Sequence, residues 1–318
     1  MSGSVPLPAR ILIPVANPST AEELIRLGAA MLDPRSGELS ALGIVEVPEG
    51  MPLSEGATRA RHARRLLQKV LDYAPTGTPI HPIVRIGRHA AEGIIEASAE
   101  QEADLIIFGW GGKAPAGGNG RGGPTVFSPT IDEVVRDAPC DIAVVKQRGS
   151  RDIKRVLVPV RGGPHAELAI HFADAIATYH GATVVVLHLV PPGITMAVRA
   201  QAERALSTFI KQHLKGKGEA VLREAPNVRN AILREAEKAD LVVMGASAAP
   251  GGDGIDSYLF GALPEAIAAR AKPSVVVVKT REPIGHSTFD TLASKAESLA
   301  AADRAAEEAR AVPARVER

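Results

Sequence analysis

Asp240–Lys279 reads DLVVMGASAAPGGDGIDSYLFGALPEAIAARAKPSVVVVK. It opens with a short apolar run, Leu241 to Met244, and closes with another, Val275 to Val278. Both are β-branched and do not alternate with polar residues, the pattern of strands covered on both faces in a parallel sheet. Between them lie a glycine-rich loop, Gly245 to Gly254, and a helix expected over about Leu259 to Ala271. A glycine loop between a strand end and a helix start offers free backbone N–H groups and a helix dipole to a phosphate. Asp104–Lys146, DLIIFGWGGKAPAGGNGRGGPTVFSPTIDEVVRDAPCDIAVVK, repeats the layout. The chain contains one architecture twice.

Working outward, ILIPV at Ile11–Val15 returns as VLVPV at Val156–Val160, an offset of 145 residues (156 minus 11). In the first half the expected strands are Ile11–Val15, Leu39–Val47, Ile80–Arg85 and the two of the quoted unit. The helices between them run from Ser19 or Thr20 to about Leu32, over Thr58–Tyr73 and over Ala90–Gln101. In the second half, strands at Val156–Val160, Thr183–Val190 and Glu219–Arg223 alternate with helices at Pro164–His180, Ala197–Leu214 and Val228–Lys238. Alternating strands and helices imply a parallel five-stranded sheet in each half, with right-handed crossovers. The domain reading is a leader at 1–9, a first domain at 10–147, a linker at 148–153, a second domain at 154–280 and a tail at 281–318. The tail is Ala/Glu/Arg-rich with a thin apolar face, and is read as helical or disordered.

Composition narrows the function. The 318 residues carry a net charge of +1, which gives no general electrostatic reason to bind nucleic acid. The single cysteine, Cys140, cannot form an intramolecular disulfide and suits a reducing compartment. Its place at the turn into a strand makes it core packing rather than a nucleophile. No apolar stretch approaches the ~20 residues of a membrane helix, and MSGSVPLPAR lacks a signal-peptide core. The expectation is a soluble, cytoplasmic protein without direct membrane insertion.

Taken together, the I/V-L-I/V-P-V strand, LHLVPP, A-D-L-I/V-I/V-x-G and A-P-C-D-I-A-V-V-K resemble the universal stress protein family over both halves. The resemblance implies an α/β fold of two tandem doubly wound parallel sheets, adenine nucleotide alpha hydrolase-like and Rossmann-like. Each sheet would have strand order 3-2-1-4-5, and the halves would pair through their last strands as an intramolecular pseudo-dimer, or across chains as a homodimer. It further implies binding of ATP or another adenine nucleotide. The tandem form also looks like soluble modules attached to amino-acid permeases and cation transporters, so a membrane transporter is a candidate partner.

The family's nucleotide signatures are only partly kept. The aspartate expected after the first P-V is Ala16 in one half and Arg161 in the other. In the first half Gly109-Trp110-Gly111-Gly112 keeps G-x-x-G, and a Gly-Ser pair becomes Ser128-Pro129. In the second, Gly245 is followed by Ala248 where glycine belongs, and Gly261-Ala262 replaces Gly-Ser. The resemblance therefore places the favoured site on Pro159, Val160, Arg161, Gly162, Val190, Gly245, Ala246, Ser247, Gly251, Gly252, Gly261, Ala262 and Leu263. A weaker one falls on Val15, Ala16, Asn17, Gly109, Gly112, Gly122, Ser128 and Thr130. Read from the residues themselves, the loop glycines can wrap a phosphate, and Arg161 can meet one directly. Long, empty loops are the alternative. His165, His171, His180 and His188 lack a carboxylate or cysteine at ligand spacing and read as separate histidines. The basic helix with Arg59, Arg61, Arg64, Arg65 and Lys69 reads as a solvated face. No nucleophile–base pair, GxSxG or P-loop pattern is present, so the chain reads as a non-enzymatic stress-response regulator that binds an anionic ligand. The alternative is a ligand-independent interaction module.

Overall fold

The short β-branched runs form strands wherever the sequence places them. In the computed structural model, described over residues 6–17, 20–110, 128–149, 152–161, 165–247 and 260–281, the first half contains β1 (Arg10–Pro14), α1 (Ala21–Met31), β2 (Glu38–Glu46), α2 (Gly56–Leu71), β3 (Ile80–Gly87), α3 (Ala90–Glu100), β4 (Leu105–Gly109), α4 (Pro129–Asp137) and β5 (Asp141–Lys146). The second contains β6 (Arg155–Val160), α5 (Ala166–His180), β7 (Thr183–Val190), α6 (Met196–His213), β8 (Lys217–Glu224), α7 (Val228–Ala236), β9 (Leu241–Gly245), α8 (Ala262–Arg270) and β10 (Ser274–Lys279). Residues 282–318, most of the tail, lie outside the described residues, as do Gly112, Gly122, Gly162, Gly251 and Gly252.

All ten strands join one sheet, in the order β3-β2-β1-β4-β5-β10-β9-β6-β7-β8. Each half is parallel and has the expected 3-2-1-4-5 order; β5 and β10 meet antiparallel, with Val276 opposite Val145 and Val277 opposite Val144. Alternate residues of the strands feed two cores. Ile11, Ile107, Val243 and Val276 share one with Leu24 of α1, Leu67 of α2, Phe172 of α5 and Phe209 of α6. Leu12, Ile106, Val242 and Val277 share the other with Ile94 of α3, Val134 of α4, Ile232 of α7 and Ile267 of α8. Each half is therefore doubly wound, and both cores run unbroken across the β5–β10 seam.

Polar bonds tie the ends of this sheet. Asp104 Oδ2 accepts the N–H groups of Ala9 and Arg10 at 2.8 and 2.9 Å. In the second half Asp240 Oδ2 does the same for Lys154 and Arg155, both at 2.9 Å. The aspartate of the repeated A-D-L motif thus clamps the entry of the first strand of its half to the fourth. At the seam, the Arg148 N–H donates to Ser274 Oγ at 2.8 Å, and the Arg281 N–H to Asp141 Oδ1 at 2.9 Å, a near-symmetric exchange. The Ser274 hydroxyl donates in turn to Glu23 Oε1 at 2.6 Å, and burial raises the Glu23 carboxyl above its ordinary range.

Local details depart from expectation at helix starts. Thr20 is the N-cap of α1, but its side chain does not cap; the hydroxyl donates to the Asn17 carbonyl at 3.0 Å instead. A single 3-10 turn, Leu53–Glu55, precedes α2 without a sequence signal. The far end of α5 closes on Gly181 with φ +68, the left-handed C-cap that glycine adopts without strain. On α5, His171 packs edge-on to His213 at 5.5 Å.

Two predictions follow from these contacts. Replacing Asp240 by Ala strands two backbone N–H groups and should lower the unfolding free energy by roughly 1–3 kcal/mol in urea titration. Burial, reinforced by Lys279, lowers His165 to about 4; burial, His213 and Lys215 outweigh Asp174 in lowering His171 to about 4. Both are neutral in the folded state at neutral pH, whereas the unfolded chain takes up a proton near its ordinary value of 6.5. Stability should therefore be full above that value and fall as pH drops toward about 4, by up to about 1.4 kcal/mol per pH unit for each histidine. His171→Phe should flatten the slope, as read by thermal unfolding across that window.

Candidate functional site

In an open parallel sheet, ligands enter where the strand order reverses, outside the carboxyl ends of the strands. In the second half that point lies between β6 and β9, and the residues singled out from sequence gather around it. Pro159 and Val160 end β6, and Arg161 follows, exposed. Val190 ends the neighbouring β7, its carbonyl accepting the Ala225 N–H at 3.0 Å. Gly245 ends β9, Ala246 and Ser247 leave it, and Gly261 introduces α8 with Ala262 and Leu263 in its first turn.

The two glycines here are held by sterics. A Cβ on Gly245 would come within 2.7 Å of the His165 carbonyl, so β9 runs directly against the start of α5. Gly261 has φ +91, and a Cβ there would fall 1.8 Å from Ser247 Oγ. Ser247 in turn gives its N–H to the Phe260 carbonyl at 2.9 Å, closing the two ends of the loop on each other. No side chain caps the first turn of α8 from the Gly261 position. Glu265, buried to 2% exposure one turn further on, accepts the Phe260 N–H at 3.2 Å.

Two histidines that the sequence did not mark for this role shape the site. His188 on β7 places Nδ1 2.9 Å from the Val160 carbonyl. Facing an acceptor, that nitrogen carries the proton. His165, at the N-cap of α5, has the opposite arrangement: its Nδ1 accepts the Thr280 N–H at 3.1 Å, and burial keeps the ring neutral. Beside it, burial lowers Lys279, and Arg136 from α4 of the other half adds to the effect. Lys279 and Arg136 thus bring cations to this edge from both halves, with the Asp141 carboxylate bonded to Thr280 and Arg281 beside them. A sequence signal existed only for Glu265, an acidic residue in the first turn of a glycine-led helix; His188 is set by strand register and His165 by the packing of the α5 start against β9 and Thr280.

The first half builds the same edge differently. Val15, Ala16 and Asn17 follow β1, and the Val15 N–H donates to the Leu42 carbonyl at 2.8 Å. Gly109 ends β4, but the next residue is Trp110, whose indole packs on the core with the Lys146 ammonium 4.7 Å from its centroid. At α4 the Ser128 hydroxyl accepts the Ile131 N–H at 3.4 Å, Pro129 at the first helical position has no N–H, and Thr130 follows, partly buried. The helix end that would meet an anion is already capped by Ser128; each half loses one first-turn donor to proline, Pro129 here and Pro264 in α8.

A cavity of about 290 Å³ lies elsewhere, at the seam, lined by Thr20, Glu23, Arg26, Gln147, His180 and Ser274. None of the residues assigned above to either candidate site lines it. Among the described residues no cluster of His, Cys, Asp or Glu is arranged to hold a metal ion. Burial, with Asp141 and Asp104 nearby, pushes the Cys140 thiol up to about 12, so it sits in the core as the neutral thiol.

Comparison with known proteins agrees with this architecture. The model of the universal stress protein family matches residues 9–146 and again 152–279. A Na(+)/H(+) antiporter, NhaS5 of Synechocystis sp., is 30% identical over 204 residues, 62% of this chain. The chain spans only 28% of that antiporter's length. Among solved structures, a universal stress protein from Archaeoglobus fulgidus superposes with a TM-score of 0.61 at 18% identity, covering 85% of this chain and 96% of its own. A putative universal stress protein from Pseudomonas aeruginosa gives 0.58 at 21%, covering 92% and 98%. Likenesses at that identity speak for the fold. With both halves matched by one family model, the chain belongs to the universal stress protein family and carries its domain in tandem.

Proposed function

We propose that the protein is a non-enzymatic stress-response regulator that binds an adenine nucleotide or a related anionic ligand in its second half, between β6 and β9. The observation that carries this reading is the Gly261 turn: a positive-φ residue that admits no side chain, opening a helix whose first turn has no side-chain cap. Such a turn leaves the N–H groups of Ala262 and Leu263, though not of Pro264, and the helix dipole for a phosphate. Arg161 stands at the end of β6, where the ligand would enter, and Lys279 adds charge at the same edge. The first half is the weaker candidate, because Trp110, Ser128 and Pro129 occupy the corresponding positions. The domains in this reading are 10–147 and 154–280, joined by 148–153, and the protein acts in the cytoplasm.

A second reading is supported by the match to part of an antiporter: the tandem module is a ligand-independent interaction module that regulates a membrane transporter. Thermal unfolding with ATP, ADP, AMP and cyclic dinucleotides separates the two. A nucleotide held at ~100-fold above its dissociation constant stabilises the native state by ~2.7 kcal/mol, a shift of a few degrees. We expect that shift with an adenine nucleotide, its loss in Arg161→Glu, and its retention in Ser128→Ala. No shift with any nucleotide would remove the ligand reading and leave the interaction module. Metal-dependent phosphate release from bound ATP would replace it with hydrolysis.

A further inference from the structure

The helix α2 carries Arg59, Arg61, Arg64, Arg65 and Lys69 and no acidic residue. Gly56, Leu67 and Val70 are its buried side, against β2 and β3, and all five cations are exposed. At about 100° per residue, Arg61, Arg65 and Lys69 line up in one outward row, opposite the buried stripe. None of the five is ion-paired among the described residues. Arg59 reaches the Glu46 backbone carbonyl at 3.5 Å and Arg61 the Thr58 hydroxyl at 3.2 Å. Glu49 and Glu55 precede the helix and Asp72 follows it, so the face itself has no counter-charge. Like charges four residues apart, as in Arg61, Arg65 and Lys69, repel within a helix, and among the described residues no ion pair offsets that repulsion.

The other half supplies an internal control. Its corresponding helix, α6, pairs Arg199 with Glu203 at 3.3 Å and with Glu224 at 2.8 Å. The fold therefore does not require an unpaired basic face on this helix. A second, independent feature lies beside it. Met51 and Leu53, 46% and 47% exposed, stand in the turn that leads straight into α2. They are among the few large apolar side chains that the described residues expose.

A row of cations on a helix whose leading turn exposes apolar side chains matches an anionic bilayer. The charges are drawn to the headgroups, and the apolar side chains enter the boundary of the acyl layer. An acidic polypeptide would satisfy the cations and leave Met51 and Leu53 without a role. We propose that α2 and the turn before it form a peripheral docking surface for an anionic lipid bilayer. This surface is separate from the β6–β9 site, and the proposal stands whether or not that site binds a nucleotide.

Co-sedimentation of the full chain with vesicles tests it. Binding is expected with phosphatidylcholine–phosphatidylglycerol vesicles, absent with phosphatidylcholine alone, and weakened as salt rises. R61E/R65E/K69E should bind at least about a hundredfold more weakly, since each basic side chain near the surface is worth roughly fivefold. M51S/L53S should bind more weakly with an unchanged salt dependence. R204E/K211E/K217E makes the same change in net charge on exposed positions of the second half and should bind as the parent does. All the altered residues are exposed, and matching thermal unfolding curves will show that each variant is folded. Equal binding to neutral vesicles, equal loss in the second-half variant, or α2-dependent binding to polyglutamate without binding to vesicles would overturn the proposal.

Discussion

The antiparallel pairing of β5 with β10 is the constraint from which the rest of the molecule follows. Each half alone would end in an open strand with an apolar centre, residues 142–145 or 275–278, a template for unwanted pairing. Joining the two last strands satisfies both edges at once and leaves only β3 and β8 at the margins. On β8 the margin is charged, with Arg223 near Glu235 and Arg155 bound to Glu219. The pairing also inverts one half relative to the other. The carboxyl edge of the first half therefore lies beside the amino edge of the second, and the two candidate clefts open at opposite ends of the sheet.

That inversion makes the seam and the second cleft share residues. Thr280, just past β10, gives its N–H to His165 at the start of α5 and its hydroxyl to Asp141 at the start of β5. Its neighbour Lys279 feels Arg136 from the opposite half. An anion arriving at the β6–β9 edge would thus act on groups bonded directly to the other domain. Coupling between sites needs such a contiguous set of contacts, and here it spans only a few residues. The seam is held partly by Ser274, which links the linker to the half-buried Glu23 of α1, so its polar side is as specific as its apolar side.

The architecture was readable in the sequence because it rests on periodicity. Runs such as LVVM and VVVV, short, β-branched and bounded by turn or loop residues, read as strands buried on both faces, and the 145-residue offset between ILIPV and VLVPV marks the duplication. The motif aspartates were visible as letters, but their role as clamps on the first strand appears only with the strands side by side. The local geometry of the candidate site was readable in part. Gly261 stood out as a glycine before a helix, and its positive φ and the closeness of Ser247 agree with that reading. His165 and His188 did not stand out, since their partners, Thr280 and Val160, lie 115 and 28 residues away. Thr20 marks the opposite failure: a residue of capping type at a capping position whose hydroxyl bonds a turn carbonyl instead.

Duplication explains why the two halves differ where they do. The strands and both cores are under the same packing demand in each copy, and they have stayed alike. The edges are not under that demand. Trp110 stands where the other half has Ala246, Ser128-Pro129 where it has Gly261-Ala262, and an unpaired basic helix where it has ion pairs. Among the described residues no buried side-chain nitrogen or oxygen lacks a partner; Asp174, for example, is taken up by the N–H groups of Lys215 and Gly216. Polar chemistry inside the fold is therefore already committed to holding it together. The halves differ at their edges: the second has a helix start at Gly261 without a side-chain cap, and the first a cationic face on α2.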